Sequence, residues 1–430
     1  MVSYILLIPL LGLLVLVIDV AVRLYARIRL NPSRPTLTCI LDALCQYLLL
    51  LKVGPWSDHP DIHHAIKRAL KYSKLKDFWI DDCNRDSRFI DRYDIVRTVG
   101  LRESKAKYSP VGHFYVLQAL MKRMIVRLNF VDYWKKHPSI GDVEMKPPVF
   151  VIGFTRTGTT ILHELLGLHD DVRSHYSWEQ MDPIPATHDE SIEALTRDRL
   201  SRYKKNQLHF KFMCYIMGNR IQDIHRIAYD EPEECSIACS VEMPWFLTEM
   251  PFNTFAIDEL TALGAGSNFA YYRKYLQLLT WQAEDRRDQS FMWMLKCPFY
   301  LPYLEALHEE FPDSTVVWTH RDPSECIASS CSLFHTLMLM SMEENSVDPF
   351  LIGKAVMRYT HRCLEAAEQA IQKIGKKFKL VHVRYSDTVN KPEAVCKQVI
   401  EQVRLHHELF HSFYVDYSYS LRQSHCKSML

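Results

Sequence analysis

The sequence predicts an α/β fold in which a parallel sheet is flanked by helices. Three observations carry that expectation. Four short apolar runs, rich in β-branched and aromatic residues, read as buried parallel strands: PPVFVIGF from Pro147, FMWML over 291–295, STVVWTH over 314–320 and KLVHVRY over 379–385. Long helical stretches separate them, the alternation that produces a parallel sheet. The first run ends in a glycine-containing turn that opens a helix.

In chain order, residues 4–22 read YILLIPLLGLLVLVIDVAV, broken only by Asp19. At ~1.5 Å per residue they span roughly 28 Å, close to the ~30 Å hydrocarbon core of a bilayer. A cleaved signal peptide would show a basic start and a small-residue cleavage site, and a buried core helix would show a polar face; neither is seen. Residues 1–30 therefore read as an N-terminal transmembrane anchor of a single-pass membrane protein. Arg23, Arg27, Arg29 and Arg34 follow it, so the positive-inside rule puts the rest of the chain in the cytosol, with the Golgi lumen as the alternative. Asn31-Pro32-Ser33-Arg34-Pro35 is an extended linker. A helical lead-in fills 31–145, clearest over 116–134 (VLQALMKRMIVRLNFVDYW), where apolar residues recur at helical spacing. The α/β domain occupies 146–415, and 416–430 form a C-terminal tail.

Composition narrows the function. The 430 residues are 48% hydrophobic and 24% charged, which excludes wholesale disorder. A formal net charge of +1 argues against a general nucleic-acid binder, which needs a basic excess to displace counterions. The 12 cysteines include no CxxC pair, so neither a zinc site nor a disulfide scaffold is indicated, and no metal is expected.

The sharpest candidate site is Gly153-Phe154-Thr155-Arg156-Thr157-Gly158-Thr159-Thr160, followed by the helical ILHELLGL. A strand, a glycine turn and a helix N-terminus aim several backbone N–H groups at one point, a P-loop-type arrangement suited to an anion. The Walker A pattern G-x-x-x-x-G-K-[ST] places Lys on the β/γ-phosphates. Here both glycines are present, but Thr159 holds the Lys position and the cation, Arg156, lies inside the loop. That argues against a conventional ATPase or GTPase and keeps a site for a phosphate-like group, with Arg156 as a bidentate donor. An ordinary strand-to-helix turn with an exposed Arg is the bland alternative. A second constellation, His320-Arg321-Asp322-Pro323, puts Arg321 at a strand's carboxyl end, and Ser329 lies about two helical turns beyond it.

Together these segments resemble the sulfotransferases that use 3′-phosphoadenosine-5′-phosphosulfate (PAPS), in particular the broad family, with bacterial and membrane-anchored animal members, that carries a G-x-x-R-T-G-T-T loop. The likeness covers roughly 67–415. It includes DYWKKHP, the loop, Trp178-Glu179, an H…PEE segment, Leu295-Lys296-Cys297-Pro298, Thr319-His320-Arg321-Asp322-Pro323 and Arg384-Tyr385-Ser386-Asp387. The resemblance implies that Thr155, Arg156, Thr157, Gly158, Thr159 and Thr160 bind the 5′-phosphosulfate. It likewise implies that Arg321 and Ser329 bind the 3′-phosphate and that Lys296 sits near the transferring sulfuryl group. PAPS is then the co-substrate and a small molecule or glycan the acceptor, with a homodimer left open. Cytosolic relatives keep a catalytic His two residues after that Lys, where this chain has Pro298, and closer relatives have His where it has Tyr300. Two candidates for the general base remain, Glu179 and His225. Glu233 and Glu234 read as acids that stabilise a helix's first turn after Pro232. The competing functions are a P-loop nucleotide kinase or NTPase, and a catalytically silent membrane scaffold with the same fold.

Overall fold

The computed structural model describes residues 14–15, 17–22, 24–25, 36–54, 60–79, 88–217, 224, 228–283 and 291–403. Strands β1 (Val149–Gly153), β2 (Val172–Arg173), β3 (Met292–Lys296), β4 (Thr315–His320) and β5 (Lys379–Arg384) form one sheet in the order β2-β3-β1-β4-β5. Every neighbouring pair is parallel. All of β1 and β3 is buried, as strands covered on both faces must be. At the edge, β5 alternates buried Val381 and Val383 with exposed His382 and Arg384. The four apolar runs thus become β1, β3, β4 and β5. The two-residue β2 carries too little pattern to be read in advance.

The longer helices are α1 (Thr36–Leu51), α2 (Ile62–Ser73), α3 (Pro110–Lys136), α4 (Thr159–Leu166), α5 (Ile192–Met217), α6 (Gly266–Trp281), α7 (Pro323–Leu339), α8 (Pro349–Ile374) and α9 (Pro392–Val403). On one sheet face, Leu162 and Leu166 of α4 and Val395 and Val399 of α9 pack on Val149, Val151, Val381 and Val383. On the other, Phe150, Ile152, Leu295 and Val316 share a core with Phe130 and Tyr133 of α3. The lead-in and the sheet therefore bury apolar surface against one another.

Local chemistry starts α3 where it does. Ser109 accepts a hydrogen bond from the Gly112 amide at 3.1 Å, and Pro110 sits where no N–H is needed. Further along, α3 carries two buried arginines. Arg127 is paired with Glu242, which also lies 3.6 Å from Arg92, and Arg123 donates to Glu249 at 2.9 Å.

The expectation of a membrane anchor is overturned. Among the described residues no helix is long and apolar enough to cross a membrane. The single-pass assignment, and with it the choice between cytosol and Golgi lumen, falls. The physical reason is visible at Asp19, the one break in the apolar run. A carboxylate is costly inside hydrocarbon, and here it accepts a hydrogen bond from the Tyr47 hydroxyl of α1. Most of residues 4–22, like the 416–430 tail, lies outside the described residues.

Candidate active site

The sheet order puts β1 between β3 and β4, so the carboxyl ends of these three strands meet at the point where the winding changes direction. Ligands of open α/β sheets bind in that crevice. Three sequence-predicted groups emerge there: the loop after β1, Lys296 at the end of β3 and Arg321 just after β4; Tyr385, just after β5, lies beside them.

The loop is held in shape by its own residues. Gly153 has no room for a side chain, because a Cβ would lie 2.2 Å from Thr319 Oγ1 and 2.5 Å from Thr157 Oγ1. Gly158 has φ +86°, and a Cβ there would lie 2.5 Å from the Tyr385 ring. The Thr157 hydroxyl donates to the Phe154 carbonyl at 2.7 Å and meets Thr319 Oγ1 at 2.7 Å, while Thr155 Oγ1 meets Ser330 Oγ at 2.6 Å. These contacts spend the Thr155 and Thr157 hydroxyls inside the protein. Thr159 and Thr160 begin α4, directly behind the Gly158 cap.

Arg156 is the centre of the arrangement. Its φ of +72° lies in the left-handed region, a conformation that costs a non-glycine residue about 1–2 kcal/mol and that the surrounding contacts must hold. Arg156 Nε donates to Ser329 Oγ at 2.9 Å and one terminal nitrogen to the Ile224 carbonyl at 3.3 Å. Arg321 donates to the Arg156 carbonyl at 3.2 Å, pairs with Glu325 and lies over the Tyr385 ring at 4.4 Å. Arg321 and Ser329, predicted to share a ligand, both converge on Arg156. Burial, then the charge of nearby Arg321, lower the Arg156 pKa below the usual arginine value, yet a guanidinium stays cationic. Two like charges held together in this way favour an anion between them.

Lys296 is 1% exposed and reaches three partners: Thr160 Oγ1 at 3.3 Å, Glu234 Oε1 at 2.9 Å and Glu233 Oε1 at 3.6 Å. Burial pulls the ammonium's pKa down, but Glu234 and then Glu233 outweigh it, and the pKa is raised. Lys296 is therefore charged at the end of β3. The two glutamates are not first-turn acids as read from the sequence, since the short helix that follows them, Ser236–Cys239, has no acid in its first turn.

The base candidates fare differently. Glu179 is 2% exposed and accepts from Arg173 and Arg199, each at 2.8 Å, and from the Tyr176 amide at 3.0 Å. Burial would raise its pKa, but Arg173 and Arg199 overcome this and hold the carboxyl below the usual range. Its partners lie on 173–176 and α5 rather than on the loop. His225 lies outside the described residues. Tyr300 is fully buried among Phe150, Trp245 and Phe269, with its hydroxyl 3.0 Å from Cys239 Sγ, and burial pushes its phenol far above the ordinary value. It packs the core and offers no proton acceptor. Among the described residues no group of three or more His, Cys, Asp or Glu is placed to hold a metal.

The profile of the sulfotransferase family matches residues 147–408, more than half of the chain. The chain belongs to the sulfotransferase family. Two curated relatives, the omega-hydroxy-beta-dihydromenaquinone-9 sulfotransferases Stf3 of Mycobacterium bovis and Mycobacterium tuberculosis, are each 22% identical over 263 residues, 60% of this chain. The match spans 63% of those relatives' length. Among solved structures, sulfotransferase STF1 from Mycobacterium tuberculosis H37Rv superposes with a TM-score of 0.66 at 24% identity, covering 81% of this chain and 90% of that one. Sulfotransferase STF9 from Mycobacterium avium gives 0.63 at 23% identity, covering 80% and 84%. This likeness shows the fold: the parallel sheet flanked by helices is that of sulfotransferases.

Proposed function

We propose that this sulfotransferase-family chain transfers a sulfuryl group from PAPS to a hydroxyl or amine of a small-molecule or glycan acceptor by in-line attack. The observation that carries the reading is the convergence of Arg156, Arg321 and charged Lys296 on a two-glycine loop at the carboxyl ends of β3, β1 and β4. The donor set suits a nucleotide with phosphate groups at two ends. The loop from Thr155 to Thr160, with Arg156, would hold the 5′ end, and Arg321 with Ser329 the 3′-phosphate. When bound, PAPS supplies an activated sulfuryl group whose leaving group is adenosine 3′,5′-bisphosphate. The protein's part would be electrostatic: Arg156, Lys296, the loop N–H groups and the Thr159 and Thr160 hydroxyls would stabilise the charge that builds on the leaving oxygen. The hydroxylated menaquinone in the name of the Stf3 relatives supports a hydroxyl ahead of an amine as the acceptor group.

The test is a thermal melt of the full chain with adenosine 3′,5′-bisphosphate, against magnesium-ATP as control. Bisphosphate at ~100 times its dissociation constant adds roughly 2.7 kcal/mol of stability. Arg321→Ala removes a charge-assisted contact worth about 1.5–3 kcal/mol and weakens binding about 10–100-fold. A shift with magnesium-ATP alone would replace this reading with a kinase, and no shift with either would leave the silent scaffold.

A further inference from the structure

Sulfuryl transfer to a hydroxyl needs a group to take the hydroxyl proton, and neither Pro298 nor the core-packed Tyr300, which follow Lys296, supplies one. The structure brings another group to the same place. Glu234 Oε1 lies 2.9 Å from Lys296 Nζ, which in turn lies 3.3 Å from Thr160 Oγ1 at the start of α4. One ammonium therefore separates this carboxylate from the phosphate loop. Glu234 also lies near enough to Arg156 for its charge to bear on the guanidinium.

The backbone around Glu234 is pinned from two sides. The Ser177 amide donates to the Glu231 carbonyl at 3.2 Å, the Trp178 amide to the Tyr229 carbonyl at 3.0 Å and the Glu233 amide to the His175 carbonyl at 3.3 Å. On the other side the Cys235 amide donates to the Lys296 carbonyl at 2.9 Å, extending the hydrogen bonding past the end of β3. Glu233 Oε1 accepts from the Glu234 amide at 2.8 Å and remains 3.6 Å from Lys296. Lys296 thus lies between two carboxylates, Glu234 at 2.9 Å and Glu233 at 3.6 Å.

Resting on the sulfotransferase reading above, we propose that Glu234 is the general base that takes the proton from the acceptor hydroxyl. The acceptor oxygen gives its proton to the Glu234 carboxylate and forms a bond to sulfur. The bond between sulfur and the 5′-phosphate oxygen breaks, and its electron pair leaves with adenosine 3′,5′-bisphosphate. Glu234 then returns its proton to water. Once protonated, Glu234 loosens its hold on Lys296, and the ammonium is released towards the loop as charge builds on the leaving oxygen. Proton removal and leaving-group stabilisation are thereby joined through one ion pair.

The experiment uses the full chain, radiolabelled PAPS and a panel of primary alcohols, phenols and sterols, with release of labelled sulfate to water scored alongside. Glu234→Gln lowers turnover about 10²–10⁴-fold while the bisphosphate dissociation constant, read by calorimetry, does not weaken. Glu234→Ala loses turnover likewise and recovers it with sodium formate but not with sodium chloride of equal ionic strength, a rescue that a purely structural role would not show. Turnover retained in Glu234→Gln overturns the proposal, as does loss of bisphosphate binding together with turnover, or loss of turnover in His225→Ala with Glu234→Gln unaffected. A wild-type chain that neither binds the bisphosphate nor turns over sinks the sulfotransferase reading itself, a result distinct from all of these.

Discussion

Gly158 meets two demands that no other residue type meets together. Its φ of +86° costs an L-residue about 1–2 kcal/mol, and a Cβ would lie 2.5 Å from the Tyr385 ring that Arg321 covers. Gly158→Ala is therefore expected to lower the melting temperature and to weaken bisphosphate binding, because relieving the clash displaces Tyr385 and with it Arg321. A melt of the variant with and without bisphosphate checks both effects. Unchanged binding would mean that the ring moves without carrying the guanidinium. Arg156 is the instructive contrast. It occupies the same region of backbone space at φ +72° without glycine's freedom, and Ser329, Ile224 and Arg321 hold it there. The sequence marks Arg156 as the loop's cation, but nothing local announces its strained backbone.

Among the elements, α3 shows how the lead-in is tied to the rest of the chain. Arg127 from α3 and Arg92 from the preceding helix Phe89–Ile95 meet Glu242, whose side chain is 1% exposed. Removing the carboxylate's charge leaves two buried guanidiniums with only neutral partners, Gly264 and Ser267 for Arg92 and Phe78 for Arg127, and breaking a buried ion pair in this way costs up to about 3–5 kcal/mol. Glu242→Gln is expected to lower the urea midpoint by a corresponding amount without abolishing bisphosphate binding in the remaining folded protein. A change within ±0.5 kcal/mol, ordinary for a surface site, would show the cluster to be dispensable. The helical periodicity of 116–134 was legible, and α3 is there. The apolar spacing says nothing of where its arginines go, and the packing shows Arg123 and Arg127 buried and paired.

The whole molecule carries buried histidines that set its response to acid. Burial lowers His163 to about 3 and His175 to about 4, from an ordinary value of 6.5. The folded state keeps both neutral, while the unfolded chain takes up protons below pH 6.5. The unfolded state thus binds more protons, and stability rises with pH across this window. Falling pH removes up to about 1.4 kcal/mol per unit for each histidine, from about 6.5 down to about 4 for His175 and about 3 for His163. Glu179, held below the usual carboxylate value by Arg173 and Arg199, adds a loss below about 4.5 of the same sign. Melts from neutral pH to about pH 4 are expected to show a steep decline in melting temperature, and a flat profile would place these histidines in contact with water.

The sequence by itself determined what contiguous residues can encode. The apolar runs define β1, β3, β4 and β5, the glycines bracket the loop, and the spacing of Arg321 and Ser329 sets their place across a strand–helix junction. Each signal is a local consequence of backbone period or turn chemistry. Tertiary structure decided the rest. Arg156 meets Ser329 across 173 residues, and Lys296 meets Glu234 across 62, because parallel pairing in the sheet aligns the carboxyl ends of separate strands. The same long-range placement turned Glu179 into a partner of two arginines and brought Asp19 to Tyr47, against the reading of a membrane anchor. Ion pairs form between whichever groups the packed sheet and helices bring within reach, and that proximity has no period along the chain.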